Sequence, residues 1–201
     1  MNGGRIAFPG SANEHSLMAL TTSEELAAGM PVPHFSLPDV TTGENLTPGH
    51  FADDKALVVI FLCRHCPYVI HVLPEIVRVA DDYLPKGVAF LGISANDASA
   101  YPDDSPAKLA AMVAERHIPF PIVHDESQDI ARAFHAVCTP EFFVFDGSRG
   151  LYYHGRLDGS TPGNKVTCDG TDLRRALDDL LAGAPAPSPQ HPSMGCNIKW
   201  K

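Results

Sequence analysis

Positive charge is scarce in this sequence, which has 15 Lys and Arg residues against 24 Asp and Glu residues and a formal net charge of −9. Nucleic acids and anionic membranes bind basic patches, so the charge balance argues against both classes of partner. Long apolar runs are also missing, since no stretch approaches the about 20 apolar residues that a membrane-spanning helix needs. The first 29 residues lack the continuous apolar segment of a signal peptide, so none is predicted.

Cysteine is present in an odd number, five in 201 residues. Disulfide frameworks use even numbers of cysteines and are typical of small secreted chains. The count therefore favours redox or metal chemistry over a structural framework, and it predicts a cytoplasmic location.

The length suits one domain with a sizeable core. Residues 1–29 are polar and aperiodic, which predicts a flexible leader, and residues 30–183 are the predicted domain. Residues 184–201 read as a Pro-rich spacer followed by a C-terminal tail. Because the tail carries Cys196 and the only Trp of the chain, Trp200, we expect it to dock on the domain.

The chain is organised around a strand that leads into two cysteines and a helix. Residues 56–62 are a continuous apolar run rich in β-branched side chains, typical of a strand buried on both faces. Cys63 and Cys66 follow, and an amphipathic pattern then predicts a helix from Pro67 to Leu84. A thiol at a helix N-terminus faces unpaired N–H groups, which stabilise the thiolate, the nucleophilic form of cysteine.

The remaining pattern predicts an α/β domain with a mixed sheet covered on both faces. Residues 30–51 are an extended segment with a hairpin turn, and a second hairpin turns at residues 146–150. The other predicted strands are residues 88–94, 120–124, 141–146 and 151–157, and the other predicted helices are residues 106–117, 127–134 and 170–181.

Three motifs carry a family resemblance that covers about residues 30–183. They are Pro33-His34-Phe35-Ser36-Leu37-Pro38-Asp39, Phe61-Leu62-Cys63-Arg64-His65-Cys66-Pro67 and Thr139-Pro140-Glu141-Phe142-Phe143-Val144-Phe145-Asp146. With them the chain resembles the AhpC/TSA (redoxin) family of the thioredoxin-fold superfamily, and within it the peroxiredoxin-like proteins. The resemblance implies a thioredoxin-like three-layer α/β/α sandwich. It also implies a reactive Cys at the start of the first long helix and a cis-proline opposite it, here Pro140.

Register within the superfamily places the nucleophile at Cys66 rather than at Cys63. In thioredoxins the nucleophile lies five residues after the strand's phenylalanine and eight before the helix-kinking proline, and both counts, from Phe61 and from Pro74, reach Cys66. The partner position three residues on is Val69, which cannot form a disulfide. The arrangement resembles that of peroxiredoxins, with one Cys at the helix start and any resolving thiol elsewhere.

Two departures from the peroxiredoxin pattern concern groups that bind the peroxide. The family has Thr three residues before its peroxidatic Cys, where this chain has Cys63, and commonly has Arg just before the late strand, where this chain has Thr139-Pro140. Arg64 and Arg156 are the candidate substitutes for that arginine. Both departures bear on the efficiency of peroxide reduction.

Several residues near the predicted nucleophile have two interpretations each. Cys63 is either a redox partner of Cys66 or core packing at the end of the strand. His65 either stabilises the Cys66 thiolate or caps the loop. Thr139, which precedes Pro140, would offer backbone groups to a bound substrate.

Three further residues are candidates for supporting roles. Cys196 would swing in on the Pro-rich spacer to resolve a sulfenic acid at Cys66, unless its segment is only a docking clasp. Cys138 lies close to the predicted cis-proline, but a half-buried structural role is the stronger prediction for it. Glu141 is a proton relay or, more commonly for such a residue, a solvated side chain.

These residues predict a thiol-dependent oxidoreductase of peroxiredoxin-like type. The Cys66 thiolate would attack a peroxide or a disulfide, and Cys63, Cys138 or Cys196 would resolve the product. An external thiol reductant of the thioredoxin or glutathione type would then restore the thiols. No organic cofactor and no bound metal are implied, and a homo-oligomer is one alternative for the assembly.

Three alternatives stay open at this point. The first is dithiol–disulfide exchange by Cys63 and Cys66, as in thioredoxins. The second is a metal-binding module for Cu(I) or Zn²⁺ that uses Cys63, Cys66, His65 or His71, for which a single CxxC pair is weak support. The third is a redox-inactive binding protein that keeps only the fold.

Overall fold

A mixed five-stranded sheet forms the centre of the protein, whose computed structural model describes residues 20–201. In chain order the strands are β1 (Leu20–Thr22), β2 (Leu37–Pro38), β3 (Asn45–Leu46), β4 (Ala56–Phe61), β5 (Val88–Ser94), β6 (Ile122–His124), β7 (Cys138–Thr139), β8 (Glu141–Asp146), β9 (Leu151–Gly155) and β10 (Met194–Asn197). The central sheet has the order β6-β5-β4-β8-β9, and the short strands form a three-stranded sheet, β1-β10-β7, and the hairpin β2-β3.

Helices cover the central sheet on both faces. They are α1 (Pro67–Tyr83), α2 (Pro106–Arg116), α3 (Asp129–Ala133) and α4 (Thr171–Leu181). Buried side chains of α1, α2 and α4 pack on one face, while α3, the segment around Phe35 and Ile198 of the tail pack on the other. The predicted α/β fold is therefore confirmed. No helix within residues 20–201 has the length and apolar content needed to span a membrane.

Strand β4 shows why its residues form the centre of the sheet. All six of its side chains are buried, and they alternate between the two faces, with Val58 and Ile60 toward α1 and Leu57 and Val59 toward α3. The strand is parallel to β5 and antiparallel to β8. Since β8 runs in the opposite direction, its first residue lies beside the end of β4, and this brings the loop after β4 next to residues 138–140.

The predicted elements agree with the structure to within a few residues. The strands at residues 88–94 and 141–146 have the predicted bounds, and the helix predicted to end at Leu84 ends at Tyr83. The early hairpin is present as β2 and β3, which pair Leu37 with Leu46.

The prediction that residues 1–29 form a flexible leader needs correction for the second part of that range. Residues 20–22 form β1, which pairs antiparallel with β10, and Ser23 and Ser193 exchange hydrogen bonds beside it. Residues 1–19 lie outside the described part of the chain. The polar sequence carries no periodic signal because β1 is held by strand pairing with residues that follow some 170 positions later.

The C-terminal tail is packed into the domain. Strand β10 lies between β1 and β7, and the Ile198 N–H donates to the Val137 carbonyl at 3.0 Å. The Ile198 side chain is buried in the core, and the Trp200 ring stacks against the Arg132 guanidinium at 4.7 Å. The tail therefore contributes both backbone hydrogen bonds and apolar burial to the folded state.

We predict that Ile198→Ala lowers the free energy of unfolding by about 2–5 kcal/mol, because the substitution leaves a cavity in a closely packed core. Urea denaturation followed by circular dichroism measures the change. Met194→Ala, on the same tail but at a side chain that is 38% exposed, is the matched control and should cost less than about 0.5 kcal/mol. Equal, small changes for both variants would show that the tail is outside the cooperative unit.

Candidate active site

The N-terminus of α1 holds the sulfur predicted to be the nucleophile. Strand β4 ends at Phe61, the chain turns, and Cys66 is the cap residue immediately before α1, with extended backbone dihedrals. Pro67 occupies the first helical position, where its missing N–H would have had no intrahelical partner. The Val69 N–H, in the first turn of the helix, hydrogen-bonds the Cys66 sulfur. The helix start is thus directed at this thiol.

Cys196 supplies the second sulfur, from the opposite end of the chain. Its Sγ lies 2.8 Å from Cys66 Sγ, and it accepts a hydrogen bond from the Tyr68 N–H of the same helix turn. A disulfide has a sulfur–sulfur distance of about 2.05 Å, so the two sulfurs are not bonded but lie less than about 1 Å beyond bonding distance. Cys66 is fully buried and Cys196 is 3% exposed.

A glycine allows the tail to approach this closely. A Cβ atom on Gly195 would fall 2.0 Å from the Thr139 carbonyl oxygen, a distance that no side chain tolerates. In this register Cys196 pairs with Thr139 and Asn197 with Cys138. Gly195 therefore permits the strand pairing that places Cys196 over Cys66.

Thr139 and Pro140 form the wall opposite the two sulfurs. The peptide bond between them is cis, as the family resemblance predicts. The Thr139 carbonyl lies 3.3 Å from Cys66 Sγ, and its hydroxyl lies 3.5 Å from Cys63 Sγ. The residues predicted as a group, Cys63, Cys66, Thr139, Pro140 and Cys196, are thus brought together by the fold.

The three thiols at the site have different pKa values because their contacts differ. Hydrogen bonds from Cys196 and Cys63, together with the Val69 N–H, outweigh burial and lower the pKa of Cys66 well below its ordinary value. The same contacts with Cys66, together with burial, raise the pKa values of both Cys63 and Cys196. The arrangement favours one thiolate, at Cys66, flanked by two protonated thiols.

His65 is paired with a buried carboxylate. Its Nδ1 lies 2.6 Å from Asp104 Oδ2, off the line of a straight hydrogen bond, and its ring stacks on Tyr101. Contact with Asp104 raises the pKa of His65 despite partial burial. Burial alone would raise the pKa of Asp104, but contacts with His65 and with the Asn96 amide outweigh it and lower that pKa. His65 therefore tends to carry a positive charge close to the Cys66 thiolate.

Asp104 is the residue that sequence reasoning missed. It lies at the end of a polar loop, residues 96–105, which the sequence identifies only as a loop. In the structure it is fully buried and accepts hydrogen bonds from the Arg64 N–H and the Asn96 amide, both at 2.7 Å. Its position before the cap of α2 is a weak local signal, and nothing local shows that it faces His65.

The interpretations of Cys138 and Glu141 need correction. Both residues are fully buried, so Glu141 is not solvated and Cys138 is not half-buried. Glu141 accepts hydrogen bonds from the Val137 and Cys138 N–H groups and contacts His154 Nε2 at 2.7 Å. Burial, together with the neighbouring Glu141 carboxylate, raises the pKa of Cys138. Glu141 is buried because it begins β8, where its carboxylate takes the place of water as the acceptor for the Val137 and Cys138 N–H groups.

The other candidate side chains, Arg64, Arg156 and His71, make their contacts with residues other than the cysteines. The Arg64 guanidinium faces Asp103 and Glu115, and Arg156 pairs with Asp172 at 2.6 Å. His71 Nε2 is 3.2 Å from the Ser160 hydroxyl. The structure thus places both candidate arginines in ion pairs with carboxylates.

A cavity of about 240 Å³ adjoins the cis-proline. Pro140, Tyr68 and Met194 are in its wall, close to the backbone groups that hold the two sulfurs, and the far side carries Ser160 and Thr161. Its size and mixed lining suit a small organic group next to the sulfur pair.

Comparison with known proteins agrees with this architecture. The family model described as Redoxin matches residues 27–167, which is more than half of the chain. An uncharacterized conserved protein from Geobacillus kaustophilus is 44% identical with a TM-score of 0.90, over 92% of this chain and 97% of that one. A hypothetical protein from Sinorhizobium meliloti is 39% identical with a TM-score of 0.88, over 90% and 98% of the two chains.

More distant structures share the fold. A thiol:disulfide interchange protein from Chlorobium tepidum is 20% identical with a TM-score of 0.60, covering 78% of this chain and 99% of its own. A peroxidoxin from Mycobacterium tuberculosis is 21% identical with a TM-score of 0.55, covering 79% and 96%. No curated protein matches the sequence.

We predict that Gly195→Ala slows formation of a Cys66–Cys196 disulfide on the order of 10²-fold, because the new Cβ displaces β10 from Thr139 and separates the sulfurs by about 1 Å or more. Peptide mass spectrometry after oxidation with a diamide-type reagent gives the rate. Gly49→Ala is the control, since a Cβ there meets only the Thr47 side chain at 3.5 Å. An unchanged rate in Gly195→Ala would contradict the close approach of the tail.

We predict that Asp104→Asn lowers the pKa of His65, because the neutral amide no longer stabilises the imidazolium. In the unchanged protein the raised pKa means that the pair stabilises the folded state at pH below 6.5, and that this contribution is lost as pH rises through the folded-state pKa. An NMR titration of the histidine rings measures the shift. His124, whose pKa is lowered by burial, is the internal reference, and an unmoved His65 would contradict the pairing.

Proposed function

The chain belongs to the redoxin family, and from this premise we propose that it is a thiol-dependent oxidoreductase of peroxiredoxin-like type, with Cys66 as nucleophile and Cys196 as resolving thiol. The observation that carries the proposal is the contact of 2.8 Å between the two sulfurs at the N-terminus of α1. Family membership supports the reaction class, and the geometry of this chain supports the choice of residues.

The proposed cycle uses each sulfur once. The Cys66 thiolate attacks one peroxide oxygen, the O–O bond breaks, and the leaving alkoxide or hydroxide takes a proton, so that Cys66 becomes a sulfenic acid. The Cys196 sulfur then attacks the sulfur of Cys66, forming the S–S bond and releasing water. An external dithiol returns two electrons and two protons and regenerates both thiols.

Cys196 supports the resolving role better than Cys63 does. Cys196 is carried on a strand that is paired on both sides, and its sulfur lies 2.8 Å from the Cys66 sulfur. Cys63 follows β4 after Leu62 and contacts the Thr139 hydroxyl, and its contact with Cys66, its burial and the nearby charge of Asp104 raise its pKa. The pKa values of both thiols are raised, so the preference for Cys196 rests on its contact of 2.8 Å with the Cys66 sulfur.

Burial favours a small electrophile. Because Cys66 has no exposed surface, any electrophile reaches it only after a displacement of the surrounding chain, and a protein disulfide needs a larger displacement than hydrogen peroxide does. Cys63 stands where peroxiredoxins have Thr, and contact with Asp104 raises the pKa of His65, which favours a positive charge near the thiolate where the family has an arginine. We infer that the His65–Asp104 pair takes the electrostatic role that the family gives to arginine.

Dithiol–disulfide exchange is the second candidate. Cys63 and Cys66 lie close enough for each to shift the pKa of the other, so the CxxC pair has the proximity that a thioredoxin-like exchange would use. This candidate predicts a Cys63–Cys66 disulfide as the oxidised product, which separates it from the main proposal.

The test is to treat the fully reduced protein with hydrogen peroxide and locate the modified sulfur by peptide mass spectrometry. We expect a Cys66–Cys196 disulfide in the unchanged protein. In Cys196→Ser the reaction should stop at a Cys66 sulfenic acid that a dione probe traps. Cys66→Ser should lower the oxidation rate on the order of 10³-fold, since the nucleophile is missing.

Cys168→Ser is the control, because the Cys168 thiol lies beside Ser160 and Asp158 rather than in the sulfur pair, so the substitution should not change the rate or the product. A Cys63–Cys66 disulfide in the unchanged protein would favour the exchange candidate. Oxidation of Cys66 no faster than that of Cys168 would overturn the peroxidase proposal.

A further inference from the structure

Cys63 and His65 are not fully explained by the cycle above, although they stand in the most reactive segment of the chain. Their side chains converge with Asp104, which comes from a loop 40 residues later. The Cys63 sulfur, a His65 ring nitrogen and an Asp104 oxygen all lie within 4.8 Å of one another. Cys63 and Asp104 are buried, and His65 is partly exposed at the edge of the cluster.

The geometry points to a Zn²⁺ site made by Cys63, His65 and Asp104. A tetrahedral zinc ion with bonds of about 2.0–2.3 Å holds its donor atoms about 3.5 Å apart, so the observed spacing accommodates one ion with small side-chain movements. Thiolate, imidazole and carboxylate are all common zinc ligands, and three protein ligands leave one position of the ion open.

The contact between His65 and Asp104 favours a shared cation. Nδ1 and Oδ2 approach to 2.6 Å, yet the buried Nδ1 makes no aligned hydrogen bond. On binding, the ion would take the place of the proton between these two atoms, because an imidazole nitrogen must be deprotonated to ligate a metal.

The surroundings already orient the ligands. The Asn96 amide donates to Asp104 Oδ2 and the Arg64 N–H donates to Oδ1, each at 2.7 Å, so the carboxylate is fixed from behind. The His65 ring is held by parallel stacking on Tyr101, at 5.5 Å between ring centroids. Partners of this kind are characteristic of metal sites in proteins, where they fix the orientation of the ligands.

The chemical types of the three ligand atoms favour zinc over copper. A carboxylate is a poor ligand for Cu(I), which prefers thiolates and thioethers, whereas Zn²⁺ accepts sulfur, nitrogen and oxygen together. His71 is not a ligand in this arrangement, because its Nε2 lies against Ser160 and the helix turn carries it away from the cluster. Of the ligands that the sequence suggested, the proposed site keeps Cys63 and His65, leaves out Cys66 and His71, and adds Asp104.

The test is equilibrium dialysis of the reduced full-length protein against Zn²⁺, with elemental analysis of the bound metal. We expect one Zn²⁺ per chain, and the dissociation constant follows from competition with a chromophoric chelator. Asp104→Asn, His65→Ala and Cys63→Ser should each weaken binding by about tenfold or more. Co²⁺ in place of Zn²⁺ should show a sulfur-to-metal charge-transfer band that is lost in Cys63→Ser.

Cys196→Ser is the matched control, because it removes a thiol on the other side of Cys66 and leaves the three ligands intact. It should bind Zn²⁺ as the unchanged protein does. Absence of stoichiometric Zn²⁺ would overturn the inference. Loss of binding in Cys196→Ser with retention in Asp104→Asn would also overturn it, since the ion would then lie on the Cys66–Cys196 pair. Circular dichroism of each variant separates loss of a ligand from loss of the fold.

Discussion

The approach of the tail strand to the cis-proline loop is the contact on which the candidate site depends. Strand β10 can pair with β7 only because Gly195 has no Cβ to meet the Thr139 carbonyl, and this pairing sets Cys196 over Cys66. Strand β1 closes the other edge of β10. The early segment, the cis-proline loop and the tail therefore form one unit around the start of α1, and the sulfur pair is a product of all three.

The electrostatics of the site follow from placing several titratable groups in a small, poorly hydrated volume. A second negative charge beside the Cys66 thiolate would be strongly unfavourable, so the neighbouring thiols keep their protons and donate to it. The helix N–H groups favour the same charge, and His65 can supply the opposite one because the buried Asp104 carboxylate raises the pKa of the His65 ring. A single thiolate is thus stabilised without an arginine in contact with it.

The two cysteines of the CxxC segment consequently have different environments. Cys66 faces the tail and the helix start, which suits nucleophilic chemistry. Cys63 faces Thr139, His65 and Asp104, a set of donors that suits a metal ion. In the proposals made above, the motif is divided between redox chemistry and metal binding rather than acting as one dithiol, because each sulfur is oriented by different tertiary partners.

The sequence by itself determined the central strand, the helices and the place of Cys66 at the helix start, because apolar periodicity and proline position are local signals. It also marked Pro140, Thr139 and Cys196 as candidates, although it left Cys196 undecided between a resolving thiol and a docking clasp. It could not reveal β1, the burial of Glu141 or the pairing of His65 with Asp104. Those features depend on contacts between residues far apart in the chain, whose free energy comes from strand pairing and desolvation in the folded domain. Only the tertiary structure decided which sulfur lies beside Cys66, since no local pattern encodes the distance between two ends of a chain.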